Sequence, residues 1–159
     1  MCGICGQFRF DGEKVSSKSL GLMMSKLARR GPDSSGVWID GSIGFGHQRL
    51  SIIDLSSLGS QPMVDEKLGL ILVFNGTIYN YKSLRDLLIS CGYTFFSNSD
   101  TEVIIKAYHY WGDECLERLD GMFAFAIWDE ATQKLFVARD RMGIKPFYFN
   151  ATSKAFTFA

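Results

Sequence analysis

LGLILVFNG, residues 68–76, is an unbroken apolar run that halts at an Asn-Gly pair. A strand with one wet face alternates apolar and polar side chains. This run does not alternate, so both faces of its sheet are expected to be covered. The segments around it point the same way. MFAFAIWD (122–129), KLFVARD (134–140), PFYFN (146–150) and AFTFA (155–159) read as further strands, the first two joined by a short turn at 130–133. At the other end, residues 4–10 form a strand pattern stopped by Asp11-Gly12, and 37–39 and 43–49 suggest two more. The arrangement that satisfies them all is α+β: two sheets packed together, with helices covering the outside.

The helices lie between the strand clusters. Leu20, Met23, Met24 and Leu27 recur at i, i+3, i+4, i+7, one apolar helix face, which Arg30-Gly31-Pro32-Asp33 ends in a loop running to Gly36. Leu84, Leu87, Leu88 and Cys91 form a second stripe, with Gly92 as its C-terminal cap. SDTE at 99–102 fits a capping box, Ser99 bonding the main chain at Glu102 and Glu102 reaching back. The third helix then carries Ile104, Ala107, Tyr108 and Trp111 on one face, and a shorter fourth is expected over 113–119. Residues 56–67 read as an extended loop, and Asn75-Gly76 as a turn. No repeat, low-complexity tract or linker divides the chain, so residues 1–159 are expected to form one domain. The chain stops on AFTFA, inside an apparent strand, which leads us to expect an N-terminal piece of a longer protein.

With 159 residues, 47% of them hydrophobic, including 13 Phe, 6 Tyr and 3 Trp, the chain has material for a full core. Seventeen basic and seventeen acidic residues cancel, which gives no general attraction to nucleic acid or anionic membranes. No apolar stretch approaches the ~20 residues of a membrane span, and the start lacks the basic-then-apolar pattern of a signal peptide. A cytoplasmic setting is expected, with Cys2, Cys5, Cys91 and Cys115 as free thiols. Two histidines, His47 and His109, and a single C-x-x-C supply too few ligands for a structural zinc site.

The opening MCGICG has two readings. Cys2–Cys5 fits a redox or metal pair. Alternatively, removal of Met1 gives Cys2 a free α-amine, a general base built into the nucleophile's own residue, with an ordinary pKa of about 7.7–8.0. A thioredoxin-like pair sits at a strand-to-helix junction; CGICGQFRF runs into a strand, which counts against it. The Asn75 amide and the Gly76 N–H could serve as two donors of an oxyanion hole, or form an ordinary turn. Arg49, in apolar GHQRLSIIDL, needs a carboxylate, either Asp54 or a ligand's. Asp100 opens a helix, where a first-turn acid is also simply favoured by the dipole. The charges of RGPDSSG and ARDRMGIKPFYF are readable as structural.

In register along the chain, MCGICG, RRGPDSSG, GHQRLSIIDLS, GSQPM, VFNGTIYNY, SDTEVI, LDGMFAFAIWD and ARDRMGIKPFYF resemble the glutaminase domain of class II glutamine amidotransferases. These are N-terminal nucleophile (Ntn) hydrolases, and the asparagine synthetase branch is the most similar. The resemblance implies a four-layer αββα sandwich, here C-terminally truncated, that hydrolyses the glutamine side-chain amide to glutamate and ammonia. It implies Cys2 as nucleophile with its α-amine as base and acid, and Asn75 with the Gly76 N–H as oxyanion donors. Arg49 would hold the substrate carboxylate and Asp100 its ammonium, with main-chain help near Leu50 and Ile52.

One position departs from the pattern. Most asparagine synthetases read NGEIYN where this chain has Thr77, which removes a charge beside the substrate ammonium; the related N-acetylglutaminylglutamine amidotransferases have a similar overall pattern. The family's ATP-binding Ser-Gly-Gly-x-Asp-Ser type loop is absent from these 159 residues. The resemblance therefore implies no cofactor or metal for this domain, with ATP and Mg reserved for a C-terminal synthetase domain that would use the ammonia. A non-catalytic Ntn-like binding or regulatory module is the alternative. An unpaired strand edge at the chain's end is expected to leave the piece marginally stable or a homodimer.

Overall fold

The side chains of residues 70–74 go to two different cores, which is why the run does not alternate. Leu70, Leu72 and Phe74 join a core with helical residues Leu84, Leu88, Val103, Ile104 and Tyr108. Ile71 and Val73 face the other way, into a core with Ile4, Ile43, Phe45, Trp128 and Phe158. The computed structural model describes residues 1–159. Its strands are β1 (Gly3–Arg9), β2 (Ser34–Asp40), β3 (Ile43–Arg49), β4 (Met63–Asp65), β5 (Leu70–Ile78), β6 (Gly121–Asp129), β7 (Lys134–Arg139), β8 (Phe149–Ala151) and β9 (Ala155–Phe158). The α-helices are α1 (Ser17–Leu27), α2 (Tyr81–Ser90) and α3 (Asp100–Trp111).

The strands form two antiparallel sheets, ordered β2-β3-β1-β9-β8 and β4-β5-β6-β7. Helix α1 covers the outer face of the first through Leu20 and Met24, packed with Cys5. Helices α2 and α3 cover the outer face of the second. The order of layers is therefore helix, sheet, sheet, helices, the αββα sandwich expected from the sequence. No helix is long and apolar enough to cross a membrane.

Several local expectations are corrected. The chain does not turn at Asn75-Gly76: β5 continues to Ile78, with Asn75 opposite Ala124 and Gly76 opposite Phe123. Gly76 is there for closeness. A Cβ would lie 2.3 Å from the Met122 carbonyl oxygen and 2.8 Å from Phe123 Cα. The loop over 56–67 contains a 3-10 turn at Ser57–Gly59 and the short edge strand β4. The second sheet strand, β2, starts at Ser34, inside the expected RGPDSSG loop, and the fourth helix is a 3-10 segment over Gly112–Glu117.

Ser99 does cap α3, but it accepts from the Thr101 N–H at 3.0 Å. Glu102 instead accepts from the Phe96 and Ser97 N–H groups, at 3.0 and 2.7 Å, tying down the loop before the helix. The α2 stripe narrows to Leu84 and Leu88; Leu87 is 43% exposed. Gly92 does take the left-handed conformation of a cap, at φ +94°. The last strand, β9, is not a sheet edge. It pairs with β1 on one side and β8 on the other, leaving β8 as the edge.

Candidate active site

Cys2 immediately precedes β1, and strand parity decides where it goes. Ile4, two residues on, faces the inter-sheet core, whereas Cys5 faces α1. Residues three apart in a strand lie on opposite faces, so Cys2 and Cys5 do not form a pair. All four cysteines are free. Burial pushes the Cys5 thiol up to about 12, which leaves it protonated and inert. Cys2 is half-buried: its Sγ accepts the Leu50 N–H at 3.3 Å and its thiol reaches the Leu50 carbonyl at 3.5 Å. Arg30 Nε donates to the Cys2 carbonyl at 3.1 Å, fixing the backbone from the far end of α1.

The edge of β5 beyond the end of β4 supplies the opposite wall. Odd-numbered residues of β5 bond to β6; the pattern continues at Tyr79, whose N–H donates to Asp120 O at 2.7 Å. Even-numbered residues therefore point their N–H groups toward β4, which pairs no further than Met63 with Leu72. Past that point side chains replace the strand. Gln61 Oε1 accepts the Phe74 N–H at 2.6 Å, and Asp100 Oδ2 accepts the Ile78 N–H at 3.0 Å. Between them, by the same alternation, the Gly76 N–H opens into a cleft. Asn75, 3% exposed, shares its parity with Ile71 and Val73 and faces the side of β1.

Arg49 ends β3 and is buried. Its guanidinium donates to the Ser56 carbonyl at 2.9 Å and to the Asp54 carbonyl. The expected Asp54 carboxylate is not its partner, because that carboxylate accepts from Ser56 and from the Asn98 N–H. Asp100 opens α3, where burial, only partly offset by hydrogen bonds from the main chain and Ser99, pushes its carboxyl up to about 6. The ion pairs of the chain within 4.0 Å are Arg9–Asp11, Lys106–Asp65, Lys106–Glu102 and Lys134–Asp113. Neither Arg49 nor Asp100 is among them. Both are therefore buried ionisable groups whose hydrogen-bond partners are neutral, with no opposite charge in ion-pair contact.

All the residues singled out from the sequence line one cleft of about 220 Å³: Cys2, Arg49, Leu50, Ile52, Asn75, Gly76, Thr77 and Asp100. Ile52 lies at the mouth, 68% exposed. The volume is below the roughly 300–1,000 Å³ of drug-sized sites, suited to a small metabolite. A thiol, a side-chain amide, a backbone N–H, a guanidinium and a carboxylate converge there, the last two without an ion-pair partner. Met1 also lines the cleft.

A family model described as the glutamine amidotransferase domain matches residues 1–159. The chain belongs to this family. Asparagine synthetase (glutamine-hydrolyzing) 3 of Bacillus subtilis is 41% identical over 161 residues, covering 99% of this chain and 26% of that protein. Asparagine synthetase (glutamine-hydrolyzing) 1 of the same organism is 41% identical over 162 residues, covering 100% of this chain and 26% of its own length. This amidotransferase domain thus spans about a quarter of these relatives. The solved glutamine phosphoribosylpyrophosphate amidotransferase from B. subtilis superposes with a TM-score of 0.78 at 21% identity, over 99% of this chain and 41% of that one. At that identity the likeness speaks for the shared Ntn fold.

Among the cleft residues of this amidotransferase domain that the sequence did not single out, two carry polar side chains of consequence, Gln61 and Lys145. Gln61 lies in GSQPM, within the stretch read as an extended loop; its Nε2 also donates to Thr101 Oγ1 at 3.3 Å, bridging β5 to α3. Lys145 belongs to ARDRMGIKPFYF, and nothing in its spacing pointed to the cleft.

Proposed function

We propose that this chain hydrolyses the side-chain amide of glutamine. The observation that carries the reading is the convergence of the Cys2 thiol, an unpaired Arg49 and an unpaired Asp100 in one small cleft. A zwitterionic amino acid satisfies both charges at once, its carboxylate on Arg49 and its ammonium on Asp100. Its neutral side chain is then left to face the sulfur. Leu50, Ile52 and Thr77 shape the remaining wall, and the neutral Thr77 leaves Asp100 as the principal anionic contact.

In the proposed reaction Met1 has been removed. The Cys2 α-amine takes the thiol proton, and the sulfur attacks the amide carbon. Asn75 and the Gly76 N–H hold the negative oxygen that forms. The amine returns the proton to the departing nitrogen, releasing ammonia and leaving a thioester, and water then yields glutamate and free Cys2. With Met1 in place the same nitrogen is a peptide nitrogen and takes no proton.

The ammonia is proposed to pass to an ATP- and Mg-dependent synthetase domain, in keeping with the greater length of the relatives. We place the activity in the cytoplasm, where thiols stay reduced. Tyr148 and Phe149, exposed beside and on the edge strand β8, are proposed to drive self-association of the isolated chain, read by light scattering.

The test is glutamine hydrolysis by protein whose mass shows Met1 removed. Cys2→Ala is expected to abolish ammonia release, by at least ~10³-fold, with glutamine binding still seen by calorimetry. Cys5→Ala is expected to retain activity. Processed protein that binds no glutamine would instead support a non-catalytic module.

A further inference from the structure

Lys145 is 5% exposed, yet no carboxylate lies within ion-pair distance of its ammonium. Its Nζ has one hydrogen-bond partner, the thioether sulfur of Met1 at 3.0 Å. A thioether is a weak acceptor and no substitute for the water an ammonium loses on burial. The position is nevertheless built. Asp140 accepts the N–H groups of Phe123, Ile144 and Lys145 at 3.2, 2.8 and 3.0 Å, and Arg139 Nε donates to the Lys145 carbonyl at 2.5 Å. The 140–145 loop is thereby fastened to β6 and β7, with the lysine tip directed at the chain's first residue.

We propose that Lys145 is a positioning residue for the N-terminal cysteine, resting on the function proposed above. Once Met1 is gone, the ammonium's one hydrogen-bond partner goes with it, and the new terminus is left in its neighbourhood. Covalent geometry limits the distance: Met1 Sδ lies within about 6 Å of the Cys2 nitrogen, so Nζ lies within about 9 Å of it. A positive charge at that range repels a second positive charge on the α-amine and attracts negative charge on the sulfur. Both effects favour the reactive state near neutral pH: an unprotonated amine and a readily formed thiolate. Other charged groups on the elements around the terminus are Arg30 beside α1, Asp33 before β2, Arg49 on β3, Asp54 in the loop after it, Asp100 on α3, and Arg139 and Asp140, whose side chains bond the main chain of Lys145. The arginines remain charged throughout, and the Asp33, Asp54 and Asp140 carboxylates are held by hydrogen bonds, so Lys145 and Asp100 are the groups whose removal is separable.

The experiment follows alkylation of Cys2 by iodoacetamide against pH, in Met1-free protein, with the labelled N-terminal peptide counted by mass spectrometry. Lys145→Met is expected to move the midpoint up by about half to one unit, and Lys145→Arg to restore it. An unmoved midpoint in Lys145→Met, or a shift that Lys145→Arg does not reverse, overturns the proposal. Should Lys145→Met not fold, Lys145→Gln is read in the same way. Alkylation reports the terminus without glutamine. A shifted midpoint in a protein lacking glutaminase activity would therefore leave the role of Lys145 standing while the proposed function fell.

Discussion

Asp100 shows how a single carboxylate couples binding to stability. Its folded value is about 6, against 3.8 in the unfolded chain. Because the shift is upward, folding is penalised wherever Asp100 is charged. The penalty is absent below about pH 4, grows between 4 and 6, and is complete above 6. About two units correspond to an upper figure of roughly 3 kcal/mol. Asp100→Asn is therefore expected to raise the urea midpoint near pH 7.5 while glutamine affinity collapses, a trade of stability for function. In the Cys2→Ala protein, which binds without reacting, glutamine affinity read by calorimetry is expected to fall about tenfold per pH unit below about 6, as the ammonium loses its anion. A flat profile down to pH 5 would remove Asp100 from the binding role. Such residues were singled out by the ordered resemblance along the chain, since each alone had an ordinary structural reading: a small cysteine, an Asn-Gly turn, a first-turn acid. Gln61 and Lys145 were not, since each works through a distance set by loops far away in the chain.

At the scale of elements, β5 carries most of the site and most of the misreading. Asn-Gly pairs favour turns, yet here tertiary pairing with β6 keeps the strand extended, and the glycine serves a close approach of backbone. Gly76→Ala is expected to push β6 away at Met122 and cost about 1–3 kcal/mol, measured by chemical denaturation. It is also expected to lower kcat more than affinity, because the Gly76 N–H moves while Arg49 and Asp100 stay. Equal stability of Gly76→Ala and native protein would contradict the packing described. The run of residues 70–74 was read correctly because two-sided burial leaves a plain mark, the absence of alternation. Strand β4 left no mark: three residues beside Pro62, with Val64 outward, carry too little pattern. The capping box was half right because Glu102 found better donors in the preceding loop than in its own helix.

For the whole molecule, the two-sheet sandwich was legible because apolar strands at both ends of the chain demand cover on both faces. Which strand pairs with which was not, since register across long separations leaves no local trace. The pairing of β1 with β9 is the telling case: Gly6 lies opposite Phe158, and Phe158 is buried between the sheets. Removing residues 155–159 is expected to unpair β1 and open the inter-sheet core, seen as loss of the cooperative thermal transition in circular dichroism. A truncated chain that melts like the intact one would count against β9 as a structural strand. The same pairing sets an order in time. The first strand can pair with β3 as soon as residues 43–49 are out, but its other edge waits for β9, about 150 residues later, which at roughly 5–20 residues per second is on the order of ten to thirty seconds. Over that interval the β9 edge of β1 is open, so on the function proposed above the removal of Met1 is expected to take place on an unfinished sheet, before the inter-sheet core is complete.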